Sequence, residues 1–333
     1  MRLRFRFGRP AAVAAALVAA VAVAGCGGDD SSSETDAGAA GVTTLKLGYV
    51  PYADDAPAFL AQEKGIFRKH GVNVEFVPAP NPVAAVAALT SGKQQLAFVT
   101  DPVLINANLQ NTKLKCVAPV VGRQPADSAR DGTTLIAGKG SGIKGVRDLA
   151  GKKVAMVQLN SLNSLDVQAL AQREGIDHKS VQFIQMPFPQ MPAALDQGRV
   201  HAAIIVQPFA QTAIDKGHTV INHPNAVLWP GGTTVCFAAL ADYIDENAAA
   251  IKGFNAAMRE SITYTKDHES EAKATLAKYL ELTPEQAQKQ VLQTDWSVTL
   301  NPKTIDQIQG YMKQFGLIQR TIPASEMVWQ GAL

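Results

Sequence analysis

The chain has 333 residues, 47% of them hydrophobic, with 31 Lys+Arg against 29 Asp+Glu. Four of the Arg (Arg2, Arg4, Arg6, Arg9) crowd the start, so the remainder, with 27 basic against 29 acidic residues, is formally −2. That balance speaks against nucleic acid or a broad anionic surface as partner, and three Cys without a CxxC or Cys/His cluster speak against a zinc or iron–sulfur site.

The apolar run from Ala11 to Ala24 is too short to span a bilayer but has the length of a signal-peptide core. It ends in Val23-Ala24-Gly25-Cys26, small residues before a Cys, which resembles the bacterial lipobox. The resemblance implies that residues 1–25 are removed and that Cys26 takes a diacylglycerol; an ordinary cleaved signal beside an incidental Cys is the alternative. From Cys26 to Thr44 the composition is Gly, Ser, Ala and acid with no aromatic. Such a segment cannot offset its ordering entropy and reads as a flexible tether.

From Leu45 strands and helices alternate. Leu45–Val50 reads as a strand. Asp54 and Asp55 before Ala56-Pro57 give a cap-then-Pro helix start, continued by Phe59, Leu60, Ile66 and Phe67 and stopped by Gly71. Val72–Val77 is a strand, Pro82 opens a helix to Ser91-Gly92, and Leu96–Val99 is a strand. Asp101-Pro102 repeats the start signal, and Leu114–Val121 is the next strand. The polar, irregular stretch Gly122–Gly132 suits a crossing between lobes. A second set follows: strands at Thr133–Ala137, Lys153–Val157, Val181–Gln185, Ala202–Val206 and Thr219–Asn222, with helices at Ser164–Glu174, Gln190–Gln197 and Phe209–Lys216. His223–Gly232, with two Pro and two Gly, suits a return crossing. Thr233–Leu240 is a strong strand, and the remainder is helical: Asn247–Lys266, Glu269–Leu280, Pro284–Thr294 and Pro302–Phe315.

Alternation of this kind predicts an α/β fold with mostly parallel sheets flanked by helices. Two sets with a return predict two lobes and a cleft: residues 45–125 and 231–333 form lobe one with the C-terminal helices, and residues 126–230 form lobe two.

The ordered segments LKLGYVPY (45–52), AFLAQEKGIFRKHGVNVEFV (58–77), AALTSGKQQLAFV (87–99), IKGVRDLAGKKVAMV (143–157) and AALDQGRVHAAIIVQPF (193–209) resemble the extracytoplasmic binding proteins of the nitrate/sulfonate/taurine type, together with the thiamine-pyrimidine-precursor branch. The similarity covers Leu45 to Leu282. It implies a two-lobed type II periplasmic-binding-protein-like fold that closes on a small molecule and hands it to an ABC permease with its cytoplasmic ATPase. It also implies a monomer at the outer face of the cell membrane, without cofactor or metal. In that fold Thr233–Leu240 lies beside Leu114–Val121, which puts Cys116 and Cys236 on neighbouring strands, bridged or as two buried thiols.

Ligands of open α/β sheets sit beyond the carboxyl ends of the strands, so the residues there are the candidates. Tyr52, Asp54 and Asp55 follow the first strand, one Asp as a cap and the other facing a cationic or donor ligand. Thr100 faces the cleft, and Asp101 is a cap or a contact. Ser161, Asn163 and Ser164 offer more polar groups than one cap needs. Phe188 is an apolar wall or a core aromatic, Gln207 heads a polar-Pro-aromatic turn, and Trp229 stacks on a flat ligand or packs at the hinge. The Gly-rich run 138–145 lacks a phosphate-loop ending, and no GxSxG or HExxH occurs. An enzyme on the same fold in pyrimidine-precursor metabolism, or a surface adhesin or scaffold lipoprotein, are the rival readings.

Overall fold

A computed structural model of the protein describes residues 41–333; the leader, Cys26 and the tether up to residue 40 lie outside the described residues. Ten strands follow in chain order: β1 (Thr43–Tyr49), β2 (Val72–Pro78), β3 (Leu96–Thr100), β4 (Leu114–Pro119), β5 (Thr133–Ala137), β6 (Lys153–Met156), β7 (Gln182–Gln185), β8 (Ala202–Val206), β9 (Thr219–Asn222) and β10 (Val235–Leu240). β1 begins at Thr43, so the last two residues of the expected tether are already strand.

The strands form two five-stranded sheets of order β2-β1-β3-β10-β4 and β7-β6-β8-β5-β9, flanked by helices. In the first, β1 runs parallel to β2 and β3 while β10 runs against β3 and β4. In the second, β6 runs parallel to β7 and β8 while β5 runs against β8 and β9. Each sheet therefore has one reversed strand, and it is the first strand entered after a crossing. A chain arriving from the other lobe enters at the cleft edge and must run away from it. The strands that end at the cleft thus contribute their C-terminal residues, and β5 and β10 contribute their first ones.

The central strands β3, β5 and β8 carry near-continuous apolar runs and are buried along almost their whole length, as strands covered on both faces must be. Helix Lys303–Gln314 buries Ile305, Ile308 and Met312 in a cluster that includes Val103, Leu104 and Ile105 of helix Asp101–Leu109. Each such aliphatic side chain contributes about 1.5–3 kcal/mol by leaving water. A disulfide joins Cys116 on β4 to Cys236 on β10, with Cα atoms 5.7 Å apart.

Three local expectations need correction. The Asp-Pro starts are not side-chain caps: neither helix Ala56–Glu63 nor helix Asp101–Leu109 has a capping hydrogen bond. In both, Pro stands at the second helical position and removes an N–H that a cap would bind. Asn81 and Thr283 do cap the helices that follow them. The helix expected over Pro284–Thr294 stops at Gln288, and the chain continues as an irregular strap. The return crossing holds a short helix, Pro224–Leu228.

Candidate functional site

Residues of both sheets converge on one cavity. From the first lobe come Tyr52, Asp54, Pro82, Phe98, Thr100 and Val103, with Val235 at the start of β10; from the second come Thr133, Val157, Gln158, Ser161, Leu162, Asn163 and Val206; and Gln293 comes from the strap. The part of this partly open cavity that water centres can occupy is about 40 Å³, room for about three of them.

The local chain explains each position. β1 ends at Tyr49, and the turn after it brings Tyr52 over Phe98 and against Phe188, ring centroids 5.4 and 5.7 Å away in edge-to-face contacts. Asp54, in the short 3₁₀ turn Ala53–Asp55, opens onto the cavity and accepts the Gln293 N–H at 3.0 Å. Its carboxyl is raised to about 7, chiefly by burial, with the Gln293 N–H pulling it down and the neighbouring Asp131 pushing it up. Tyr52 is pushed up by burial and by the two adjacent carboxylates, so its phenol stays protonated. Thr100 ends β3 with a buried hydroxyl that has no partner among the described residues.

On the facing wall, Ser161 and Ser164 form a reciprocal capping box at the start of helix Leu162–Arg173, the Ser161 N–H meeting Ser164 Oγ at 2.9 Å. The expected surplus is thus smaller than the residue count suggests. Both hydroxyls are consumed locally, Ser164 does not reach the cavity, and the Asn163 amide is the group left over.

The other sequence candidates lie behind the lining. Asp55 and Asp101 are buried with both carboxylate oxygens unpaired among the described residues, and burial pushes each well above the carboxylate range. Phe188 packs between Tyr52 and Phe209. Gln207 precedes a cis peptide to Pro208, and its carbonyl takes the Ala53 N–H from the other lobe at 3.2 Å. Trp229 is 2% exposed, with its indole N–H donating to Asp166 at 2.7 Å; it is a core residue and lines no part of the cavity.

Gln293 was not singled out by sequence, yet it ties the site together. Its Oε1 accepts from Thr133 Oγ at 2.9 Å and its Nε2 donates to Gln124 Oε1 at 2.6 Å. Gln124 in turn donates to Thr234, the residue before β10. The two crossings also bond directly, Gln124 N–H to Gly232 O at 2.7 Å and Gly231 N–H to Gln124 O at 2.8 Å. The strap runs beside them: Thr294 Oγ donates to Val121 O at 2.7 Å, and the Asp295 N–H donates to Arg123 O at 2.9 Å. At Gly122, with φ of +130°, a Cβ would collide with the Thr294 hydroxyl, so glycine is required where strap and crossing touch. The hinge is thus three segments wide. Only the Gln-rich, helix-ending stretch 286–293 hinted at it.

The family model described as "NMT1/THI5 like" matches residues 53–272. A protein of Haemophilus influenzae that carries a thiamine-biosynthesis name is 23% identical over 296 residues, covering 85% of this chain and 90% of that protein. Among the crystal structures that share the fold are the periplasmic aliphatic sulphonate binding protein SsuA of Escherichia coli (TM-score 0.70, 22% identity, 86% of this chain and 92% of that one) and the periplasmic nitrate-binding protein NrtA of Synechocystis PCC 6803 (TM-score 0.72, 17% identity, 85% and 84%).

Proposed function

The chain belongs to the NMT1/THI5-like family, and from that premise we propose that it is a solute-binding protein that captures a small molecule between its lobes for an ABC importer. One observation carries the reading: the cavity described above is lined from the cleft edges of both sheets, so a ligand bound there holds the lobes together. A ligand shifts such an equilibrium only through its preference for the closed form, and contacts to both lobes supply that preference. The relatives named for sulfonate and nitrate binding support the same class of role.

In this reading Cys26 carries the lipid, residues 26–42 tether the domain outside the cell membrane, and the closed monomer docks on a permease coupled to its ATPase. No helix among the described residues is long and apolar enough to cross a membrane. The ligand belongs to the sulfonate, nitrate, amine or nitrogen-heterocycle class. The thiamine-biosynthesis name of one relative favours a second reading, an enzyme of pyrimidine-precursor metabolism on the same fold.

Mass spectrometry of the molecule released from the purified chain by mild denaturation tests the proposal. A released small molecule that raises Tm when added back, and is recovered unchanged after incubation, is the expected result. Its conversion to product supports the enzyme instead.

A further inference from the structure

Asp54 is the one acidic or basic side chain among the residues lining the cavity; none of them is Lys, Arg or His. One Asp54 oxygen takes the Gln293 N–H at 3.0 Å, and the carboxylate receives no other hydrogen bond among the described residues. The same cavity is lined by uncharged groups with unused capacity: the Thr100 hydroxyl, which has no partner among the described residues, and the Gln158 and Asn163 amides. The walls between them are apolar, with Phe98, Val157, Val206 and Val235. A bare anion entering this space gives up its water, meets a carboxylate and finds no counter-charge. A cation or a strong N–H donor meets a partner whose attraction the dry walls strengthen. The Leu162 and Asn163 N–H groups, which the capping box at the start of helix Leu162–Arg173 leaves out, suit an acceptor atom at the ligand's other end and do not require it to be charged.

We infer that the ligand is a small nitrogenous molecule that presents an ammonium, amidinium, guanidinium or amino-heterocycle N–H group to Asp54, and that bare oxyanions are not its class. This rests on the binding reading above and narrows it. The titratable groups facing Asp54 are Tyr52, Asp55 and Asp131, none of them cationic. With Asp54 raised to about 7, a cation binds more tightly as pH rises through that value and the carboxyl ionises, by up to about tenfold per unit, and its affinity levels off above it. An oxyanion shows the opposite slope.

The test is thermal shift and calorimetry on the full chain with two sets of probes: small primary amines, guanidines and aminopyrimidines in one, nitrate and methanesulfonate in the other. The expected result is a rise in Tm with a member of the first set only, binding that strengthens between about pH 6 and about pH 8, and at least a tenfold loss in Asp54→Asn with an unchanged circular dichroism spectrum. Because Asn keeps the shape and the acceptor for the Gln293 N–H, the variant removes charge and little else. The pH series on the unaltered chain is a second readout if the variant misfolds. Binding of nitrate or methanesulfonate, or amine binding indifferent to Asp54→Asn, overturns the inference and leaves the solute-binding reading standing. No shift with either set overturns both.

Discussion

The Trp229 indole N–H provides the only hydrogen bond that the buried Asp166 side chain receives among the described residues, and burial holds that carboxyl well above its usual range. Replacing the indole with Phe strands a polar group in the core, which costs about 1–3 kcal/mol. Trp229→Phe is expected to lower the unfolding free energy by that amount in urea titrations while leaving ligand affinity unchanged; a selective loss of affinity would return Trp229 to the cleft. Among single residues, the place of Tyr52, Asp54, Thr100, Ser161 and Asn163 on the cavity was legible because each stands at or just beyond the carboxyl end of a strand or opens the helix after it. Gln293 was not, because its partners Asp54, Gln124 and Thr133 lie 239, 169 and 160 residues away, and no local pattern encodes such a distance. Ser164 misled for the converse reason: its polarity is spent on Ser161, three residues before it.

Among the elements, β4 is an edge strand of the first sheet, and an open edge invites pairing with other chains. The C-terminal residues cover it. The Cys116 N–H donates to Met327 O and the Trp329 N–H donates to Cys116 O, each at 2.9 Å, with Cys116 and Val328 paired as a parallel bridge. Deleting residues 327–333 also removes the buried Met327, Val328 and Ala332. Size-exclusion chromatography is expected to show that chain as dimers and larger species, with the full-length chain a monomer. The sequence marked strands and long helices well, since burial on both faces leaves continuous apolar runs and amphipathic helices leave a 3.6-residue stripe. It marked the strap poorly: residues 289–294 continue the Gln-rich composition of the helix before them, and only tertiary bonds to the hinge pull them out of helical geometry.

For the whole molecule, Asp54, Asp55, Asp101, Asp131 and Asp166 are all raised above 3.8, chiefly by burial. The folded chain therefore holds more protons than the unfolded one from about pH 4 upward, and stability falls as pH rises from there, Asp54 giving up its proton at about 7. At lower pH the surface carboxylates Glu63, Glu260 and Glu285, held low by the ammonium groups of Lys278, Lys69 and Lys289 beside them, begin to protonate and their contribution is lost. The empty protein is thus expected to melt at a higher temperature near pH 5 than near pH 8 in scanning calorimetry; the reverse order would mean that these acids are not buried in the working state.

The disulfide between β4 and β10 spans a sequence separation of 120, and nearly everything between its ends is the second lobe with its two crossings. That lobe is consequently a covalent ring hung from the first by a sulfur clasp. A single cut anywhere in the ring opens it to a line without releasing either end. In an oxidising compartment the two lobes of a nicked molecule stay tethered at the hinge, and reduction is what separates the pieces into independent chains.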